Sequence, residues 1–304
     1  MIGALTNDQT SPQNGANVAE AARRKMGRLT PAERKVARAL LTAYPVAGLE
    51  TVAELARRAE VSGPTVIRFA AKLGYDHYAA FQQALKDELV ARDSSPVRQI
   101  SSRALSQDPV LTRAHQRFSD ALTRTLDGLS PHDLAGCVKL LADKRRPVTA
   151  VGGRFTRGLA EYLIGHLQQL RPNAALVGEG PFGKTSRALD MTRRDVLVAF
   201  DFRRYSKDTI QFARAAHTRG STVILITDPW LSPIAEIAKF TLPAAVEAVS
   251  PFDSLLPALG IVDILVAAII DEIGDSAEQR VRQIDNLAAS ASDGHSSHAR
   301  NGER

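Results

Sequence analysis

Two groups of residues have the types and spacing to do chemistry. The first is Arg154 and Thr156 together with Asp201, Arg203, Arg204 and Ser206. Guanidinium groups offer paired donors to a carboxylate or phosphate, and the hydroxyls add neutral hydrogen bonds, so this set is suited to holding a small anion. The same residues could instead close on themselves, with Asp201 paired to Arg203 or Arg154 as a tie between two loops, and the residue types favour neither arrangement. The second group is Thr65, Arg68 and Lys72, spaced i, i+3 and i+7, which on a helix would present donors to base edges and phosphates of duplex DNA.

The elements that must carry the second group are legible. Val66, Phe69, Ala70 and Leu73 recur with helical spacing and would bury together, leaving Thr65, Arg68 and Lys72 on the opposite side. Ser62 can cap this helix, Pro64 falls in its first turn where a missing N–H costs nothing, and Gly74 supplies a left-handed exit, so the helix spans Gly63 to Leu73. A preceding helix buries Val52, Leu55, Ala56 and Ala59 across a tight turn, and the pair reads as a helix-turn-helix. A third helix opens upstream on the capping box Thr30-Pro-Ala-Glu33 and covers the pair through Val36, Ala37, Leu40 and Leu41. An Arg and a Lys on one helix face can equally be a solvated surface; charge partition favours DNA. Residues 21–92 hold 13 Lys and Arg against 7 Asp and Glu, whereas residues 130–287 hold 19 against 18. The basic excess sits on the helical unit, where phosphate neutralisation needs it. Ser62, Thr65, Arg68, Lys72 and Tyr75 are the candidate DNA contacts, with Tyr75, Tyr78 and Phe81 mostly core and Tyr75 near enough to the surface to meet a phosphate.

A chain of 304 residues, 44% hydrophobic, can bury more than one core, so two domains are expected. The boundaries read as a disordered tail over 1–22, the helix-turn-helix domain over 23–92, a linker and connecting helix over 93–129, a second domain over 130–287 and a disordered tail over 288–304. The linker opens on Asp93-Ser-Ser-Pro-Val and carries a polar helix near Leu111 to Leu126 that could help pair two chains. Cys137 is the single cysteine, so neither an internal disulfide nor a cysteine cluster for a metal can form, and a reducing cytoplasm is the expected home. The longest apolar run, Ile261 to Ile273, is broken by Asp263 and Asp271, and Thr6 to Asn17 is too polar for a signal peptide, so no membrane role is expected.

From Val148 onward short apolar runs alternate with helices, the pattern of a parallel sheet covered on both faces. Strands are expected at Val148–Val151, Ala174–Val177, Val196–Phe200, Thr222–Ile226 and Phe240–Leu242. Helices are expected near Pro131–Ala142, Thr156–Leu170, Gly183–Leu189, Ser206–Arg219, Ser232–Ala238 and Asp253–Ile273. The fold class is therefore α/β: an all-α helix-turn-helix domain followed by a doubly wound, three-layer αβα domain. In such sheets ligands bind beyond the carboxyl ends of the strands. That is where Gly153, Arg154 and Thr156, then Arg203, Arg204 and Ser206, fall in order along the chain. Other polar residues have simpler readings. His166 and His217 lie on helices away from strand ends, Lys144-Arg-Arg146 is a solvated turn, and Ser250, Asp253 and Ser254 can cap the long helix that follows. Neither a dinucleotide fingerprint nor a Gly-rich phosphate loop occurs, and no cofactor or metal is expected.

Taken together, Leu29-Thr-Pro-Ala-Glu-Arg-Lys-Val, Val61-Ser-Gly-Pro-Thr-Val-Ile-Arg-Phe, Lys72-Leu-Gly-Tyr75, and Thr227 with Ser232-Pro-Ile-Ala235 resemble the RpiR/MurR family of bacterial transcription regulators. The resemblance implies an RpiR-type helix-turn-helix that binds a DNA operator, joined to a sugar isomerase (SIS) domain that senses a phosphosugar. It also places the loop around Ser250 beside the ligand cavity. SIS domains that hold a sugar phosphate commonly show Gly-x-Gly-x-Ser after the first strand and Ser-x-Ser-Gly-x-Thr after the third. Here Arg154 replaces the second glycine of the first pattern, Asp201 and Arg203 stand for the two serines of the second, and Arg204 stands for its glycine. The function these features imply is ligand-controlled DNA binding by a homodimer or homotetramer, the effector being a small anion, either a phosphosugar or a sugar acid or related carboxylate. The alternative is a sugar-phosphate isomerase or related SIS enzyme, which would need a placed general base and acid.

Overall fold

The computed structural model describes residues 17–93, 108–178 and 180–298. The expected junction after Asp93 lies outside the described residues, as do 1–16 and 299–304 of the two expected tails. The described chain falls into two compact units.

The helical unit consists of α1 (Val18–Lys25), α2 (Pro31–Thr42), α3 (Val46–Leu49), α4 (Val52–Arg58), α5 (Gly63–Leu73) and α6 (Tyr78–Asp93). Reciprocal capping boxes start two of them: Thr30 with Glu33 on α2, and Thr51 with Glu54 on α4. Each satisfies two of the four orphan N–H groups at a helix start. Helix α5 ends at Gly74, whose φ of 103° is a left-handed exit open to glycine without strain. Its apolar side, Val66, Phe69, Ala70 and Leu73, closes against Leu55, Leu40 and Phe81 in one core. The first expected tail is corrected here. Val18, Ala19 and Ala22 of α1 are fully buried, because alanines among charges hide an apolar stripe that a hydropathy reading misses. The carboxylate of Glu88 on α6 holds that helix in place, accepting from the Val18 N–H at 2.6 Å and from the Tyr44 hydroxyl.

The second unit is built on strands β1 (Val148–Gly152), β2 (Ala174–Leu176), β3 (Val196–Phe200), β4 (Thr222–Thr227) and β5 (Phe240–Pro243). All pairings are parallel and the order is β2-β1-β3-β4-β5. Every residue of β3 is buried, as a central strand covered on both faces must be. Helices α8 (Pro131–Ala142), α9 (Arg157–Leu170) and α12 (Leu256–Ile273) cover one face, and α10 (Gly180–Asp190) with α11 (Lys207–Thr218) covers the other. The connecting helix is α7 (Val110–Gly128), and its last turns belong to this unit: the Thr125 hydroxyl accepts the Ala245 N–H at 2.9 Å. The segment expected as helix at Ser232–Ala238 is a single 3₁₀ turn, Pro233–Glu236. The second expected tail is also corrected, since α13 (Asp275–His298) continues the chain as helix, with Ala277 buried and the Arg280 guanidinium donating to the Gln168 carbonyl of α9.

At the amino-terminal edge of the sheet, Arg171 is fully buried and donates to the carbonyls of Leu141, Arg146 and Pro172. It joins the end of α8, the turn before β1 and the turn before β2. Burial pulls its pKa below the ordinary arginine value. Because hydrogen bonds to a charged group contribute about 1.5 to 3 kcal/mol each and orphaned carbonyls cost more, Arg171→Met is expected to lower unfolding free energy by about 3 kcal/mol or more. Urea titration followed by circular dichroism checks this.

Candidate functional site

The outward face of α5 differs from the one that face arithmetic gives. Thr65 is only 5% exposed, so it turns toward the core, and its hydroxyl meets the Ser62 hydroxyl at 2.9 Å and accepts from the Arg68 guanidinium at 3.2 Å. Ser62 stands at the cap position but makes no side-chain bond to the helix backbone. The exposed residues are Pro64, Ile67, Arg68, Ala71 and Lys72, and Ile67 keeps half of its surface. A helix that buries five residues over about three turns buries a flank as well as the central stripe, and Thr65 lies on that flank.

Lys72 is partly exposed, and its ammonium lies 2.7 Å from the Glu33 carboxylate, which is almost entirely buried. Desolvation raises the Glu33 pKa, but the Lys72 and Thr30 donors outweigh it and hold the carboxyl below its usual range. A second cation, Lys25, donates to the Lys72 carbonyl at 2.6 Å. The end of α5 is thus tied to the start of α2 through Lys72. Tyr75 is half-buried with its ring edge-on to Phe81 at 5.6 Å, and burial with the nearby Glu88 charge pushes its hydroxyl up to about 12.

In the sheet unit the two arginine-bearing loops meet. Strands β1 and β3 are neighbours, Gly152 pairing in register with Phe200, while β2 and β4 lie on opposite sides of that pair. The crevice between β1 and β3 is therefore the switch point of the doubly wound sheet, where ligands bind in this fold class. A Cβ on Gly153 would sit 3.4 Å from the Ser206 Cβ, which shows how closely the loops approach. A Cβ on Gly152 would fall 2.6 Å from the Thr156 carbonyl and the Arg157 nitrogen, so that position must stay glycine.

Thr156 is buried and its hydroxyl is engaged, accepting the Gly153 N–H at 2.8 Å and donating to the Phe200 carbonyl at 2.8 Å. Its first duty is to fasten the β1 loop to β3. Ser206 caps α11 through the Thr209 N–H at 3.4 Å, and its own N–H donates to Asp201 at 3.0 Å. Arg154 is exposed with its guanidinium 5.4 Å from the Phe155 ring centre, and Arg203 is half-buried. Arg204 is exposed and has φ 69°, a left-handed conformation that glycine adopts without strain, and it stands where the family pattern has glycine. Ser250 hydrogen-bonds within its own loop, its oxygen accepting the Phe252 N–H at 3.2 Å.

The ion pair considered for Asp201 is not formed with Arg203 or Arg154. Its buried carboxylate instead accepts from the Ser206 N–H and the Ser232 hydroxyl. Thr227 adds a further tie, its hydroxyl donating to the Asp201 carbonyl at 2.5 Å while accepting the Ser232 N–H at 3.2 Å. Ser232 and Thr227 were visible as part of the family pattern, yet nothing in their spacing revealed that they face a carboxylate at the end of β3. Burial raises the Asp201 pKa above its ordinary value, against the pull of the Ser232 and Ser206 donors. Among the described residues no group of His, Cys, Asp and Glu could hold a metal ion, and no helix is long and apolar enough to cross a membrane. Cys137 is buried and its thiol is pushed up to about 12 by burial and Asp133.

Comparison with known proteins agrees with this geometry. Residues 16–92 match the rpiR-family helix-turn-helix domain and residues 140–268 match the SIS domain. The chain thus carries an rpiR-family helix-turn-helix domain followed by a SIS domain. Over 217 residues it is 24% identical to an uncharacterized HTH-type transcriptional regulator of Haemophilus influenzae, covering 70% of this chain and 75% of that one. The sheet unit resembles the sugar isomerase domain of an RpiR transcription factor from Sphaerobacter thermophilus, with TM-score 0.55, 24% identity, and coverage of 58% of this chain and 98% of that one. The Vibrio vulnificus NanR protein complexed with ManNAc-6P has TM-score 0.52 at 20% identity, with 90% of this chain and 99% of that chain covered.

The sign of the Asp201 shift makes a prediction. A carboxyl whose pKa is raised by folding favours the fold most when protonated, and that contribution is lost as pH rises through the folded value. Asp201→Asn keeps an acceptor for Ser206 and removes the buried charge, so wild type is expected to lose stability relative to this variant as pH rises from about 3 through the folded value. Asp201→Ala orphans two buried donors and is expected to cost about 2 kcal/mol or more at any pH in that range. Chemical denaturation of the three proteins across the range checks both statements.

Proposed function

We propose that the chain is a DNA-binding transcriptional regulator whose SIS domain takes a small anionic metabolite, a phosphosugar or a sugar acid of similar size, as its effector. The observation that carries the DNA reading is the family-matched helix-turn-helix with an exposed face on α5 that includes Arg68, in the part of the chain that holds the net positive charge. Phosphate contact supplies most of the affinity of such a domain, and one short recognition helix spans only a few base pairs. A homodimer or higher assembly in the cytoplasm, reading two half-sites about one helical turn or a multiple apart, meets that need.

The effector reading is supported by the switch-point crevice, since the loops that carry Arg154, Arg203 and Arg204 leave β1 and β3 there and lead into α9 and α11. Helix starts favour negative charge, and arginines add directional donors. The sugar-phosphate complex of the NanR protein supports the phosphosugar class. Arginines in place of two glycines and one serine move recognition from backbone and hydroxyl groups to guanidinium groups, and this keeps sugar acids in the same class.

Selection of bound fragments from bacterial genomic DNA, followed by titration of the enriched site, tests the first half. Arg68→Ala is expected to cost about 1 to 3 kcal/mol on that site and to relax preference at one base pair. A thermal-shift screen of sugar phosphates and sugar acids tests the second half, since a ligand at about 100 times its dissociation constant adds roughly 2.7 kcal/mol. Arg154 is exposed, so Arg154→Ala is expected to leave melting temperature unchanged and to abolish the shift. Turnover of a sugar phosphate by the protein, with no sequence enriched in the selection, would replace this reading with an isomerase.

A further inference from the structure

Ile67 is the feature the charge-based reading of α5 leaves unexplained. It lies in the middle of the helix, half exposed, one residue from Arg68 and one turn from Pro64 and Ala71. These four residues recur at i, i+3, i+4 and i+7, so they form one continuous face. The face is apolar on either side of a single guanidinium. Thr65, the residue whose hydroxyl could have read a base, is buried and engaged by Ser62 and Arg68. The α5 ammonium, Lys72, is held by Glu33 at the far end of the helix.

A large aliphatic group at the centre of the outward face of a DNA-reading helix is placed to meet whatever apolar surface the groove offers. The major groove offers one such surface: the C5-methyl of thymine, the only methyl group among the base edges exposed there. Ile67 and Ala71 lack hydrogen-bonding side-chain atoms and so cannot read the donor and acceptor pattern, whereas a methyl group is recognised by contact alone. Arg68 beside them has the geometry for the paired O6 and N7 acceptors of guanine.

We infer that Ile67 is a specificity-determining residue that reads thymine methyl groups in the major groove, next to a guanine read by Arg68. This rests on the DNA-binding reading above and adds to it the composition of the half-site: at least one A·T pair, oriented by its methyl, adjacent to a G·C pair.

The test separates the inference from the reading it rests on. Full-length protein first selects sites from a random duplex library; if no sequence is enriched, the DNA-binding reading itself fails. With the enriched site in hand, each thymine is replaced singly by deoxyuridine, which removes the methyl and leaves the pairing edge unchanged. Wild type is expected to bind about fourfold more weakly at one or two positions per half-site, the worth of about one buried methyl group. Ile67→Ala is expected to bind thymine and uracil equally at those positions while keeping the salt dependence of wild type, because no phosphate contact is lost. Melting of Ile67→Ala by circular dichroism shows that the fold is kept. An enriched site without thymine, wild-type indifference to every uracil, or an equal uracil penalty in Ile67→Ala would each overturn the inference.

Discussion

The constraint on which the sheet unit depends is a buried carboxylate at the end of its central strand. Parallel strands all deliver their loops to one edge, and nothing in the backbone ladder holds those loops together once the strands end. Asp201 does so from a position with 2% of its surface exposed, accepting from the start of α11 and from the turn after β4. Thr156 performs the same service between the loops after β1 and β3, and Thr227 between the ends of β3 and β4. Because each acceptor is buried, each tie is worth more than a surface contact and costs more to break. Three strand ends are thereby fixed before any ligand arrives, the preorganisation that selective binding of a small molecule needs.

This lacing explains how the departures from the family pattern are tolerated. An aspartate in place of a serine would be expensive here if isolated, yet Ser206 and Ser232 supply its donors without an arginine. The arginines on the same loops are consequently not required to neutralise it. Arg204 shows the cost of the exchange most directly, since it keeps a left-handed backbone that suits glycine and strains a branched or long residue by roughly 1 to 2 kcal/mol. Strain of that size persists where surrounding structure over-determines it, and here the flanking Asp201 and Ser206 are both pinned.

Much of the fold was legible because its signals are local. The ends of α5 and α8, the span of β3 and the capping box of α2 follow from a cap, a proline, a glycine or an unbroken apolar run within a few residues. The candidate site was legible only as a set of loops. Which side chains face one another there depends on strand order, and a chain read in one dimension cannot show that Ser232 meets Asp201 from 31 positions away. The misreadings have equally specific causes. A count of helical spacing puts Thr65 outward because it ignores how wide a face of α5 is covered, and composition puts Val18 to Ala22 of α1 in a tail because the buried residues there are mostly alanine.

The two ends of α5 illustrate how electrostatics and packing divide their tasks in the helical unit. At the C-terminal end, where the helix dipole is negative, Lys72 is favourably placed, and its link to buried Glu33 fixes the axis of α5 against α2. That charge is therefore committed to geometry before it can serve affinity. At the N-terminal half the exposed face carries Arg68 between apolar neighbours, and only one of its residues competes strongly with water. A helix so arranged gains little from nonspecific attraction of its own; the other basic residues of the unit, six of them on α1 and α2, carry the positive charge that such attraction needs. Separating orientation, attraction and discrimination among different side chains lets the discriminating face be mostly apolar, and apolar contact, unlike charge, is lost whenever the fit is wrong.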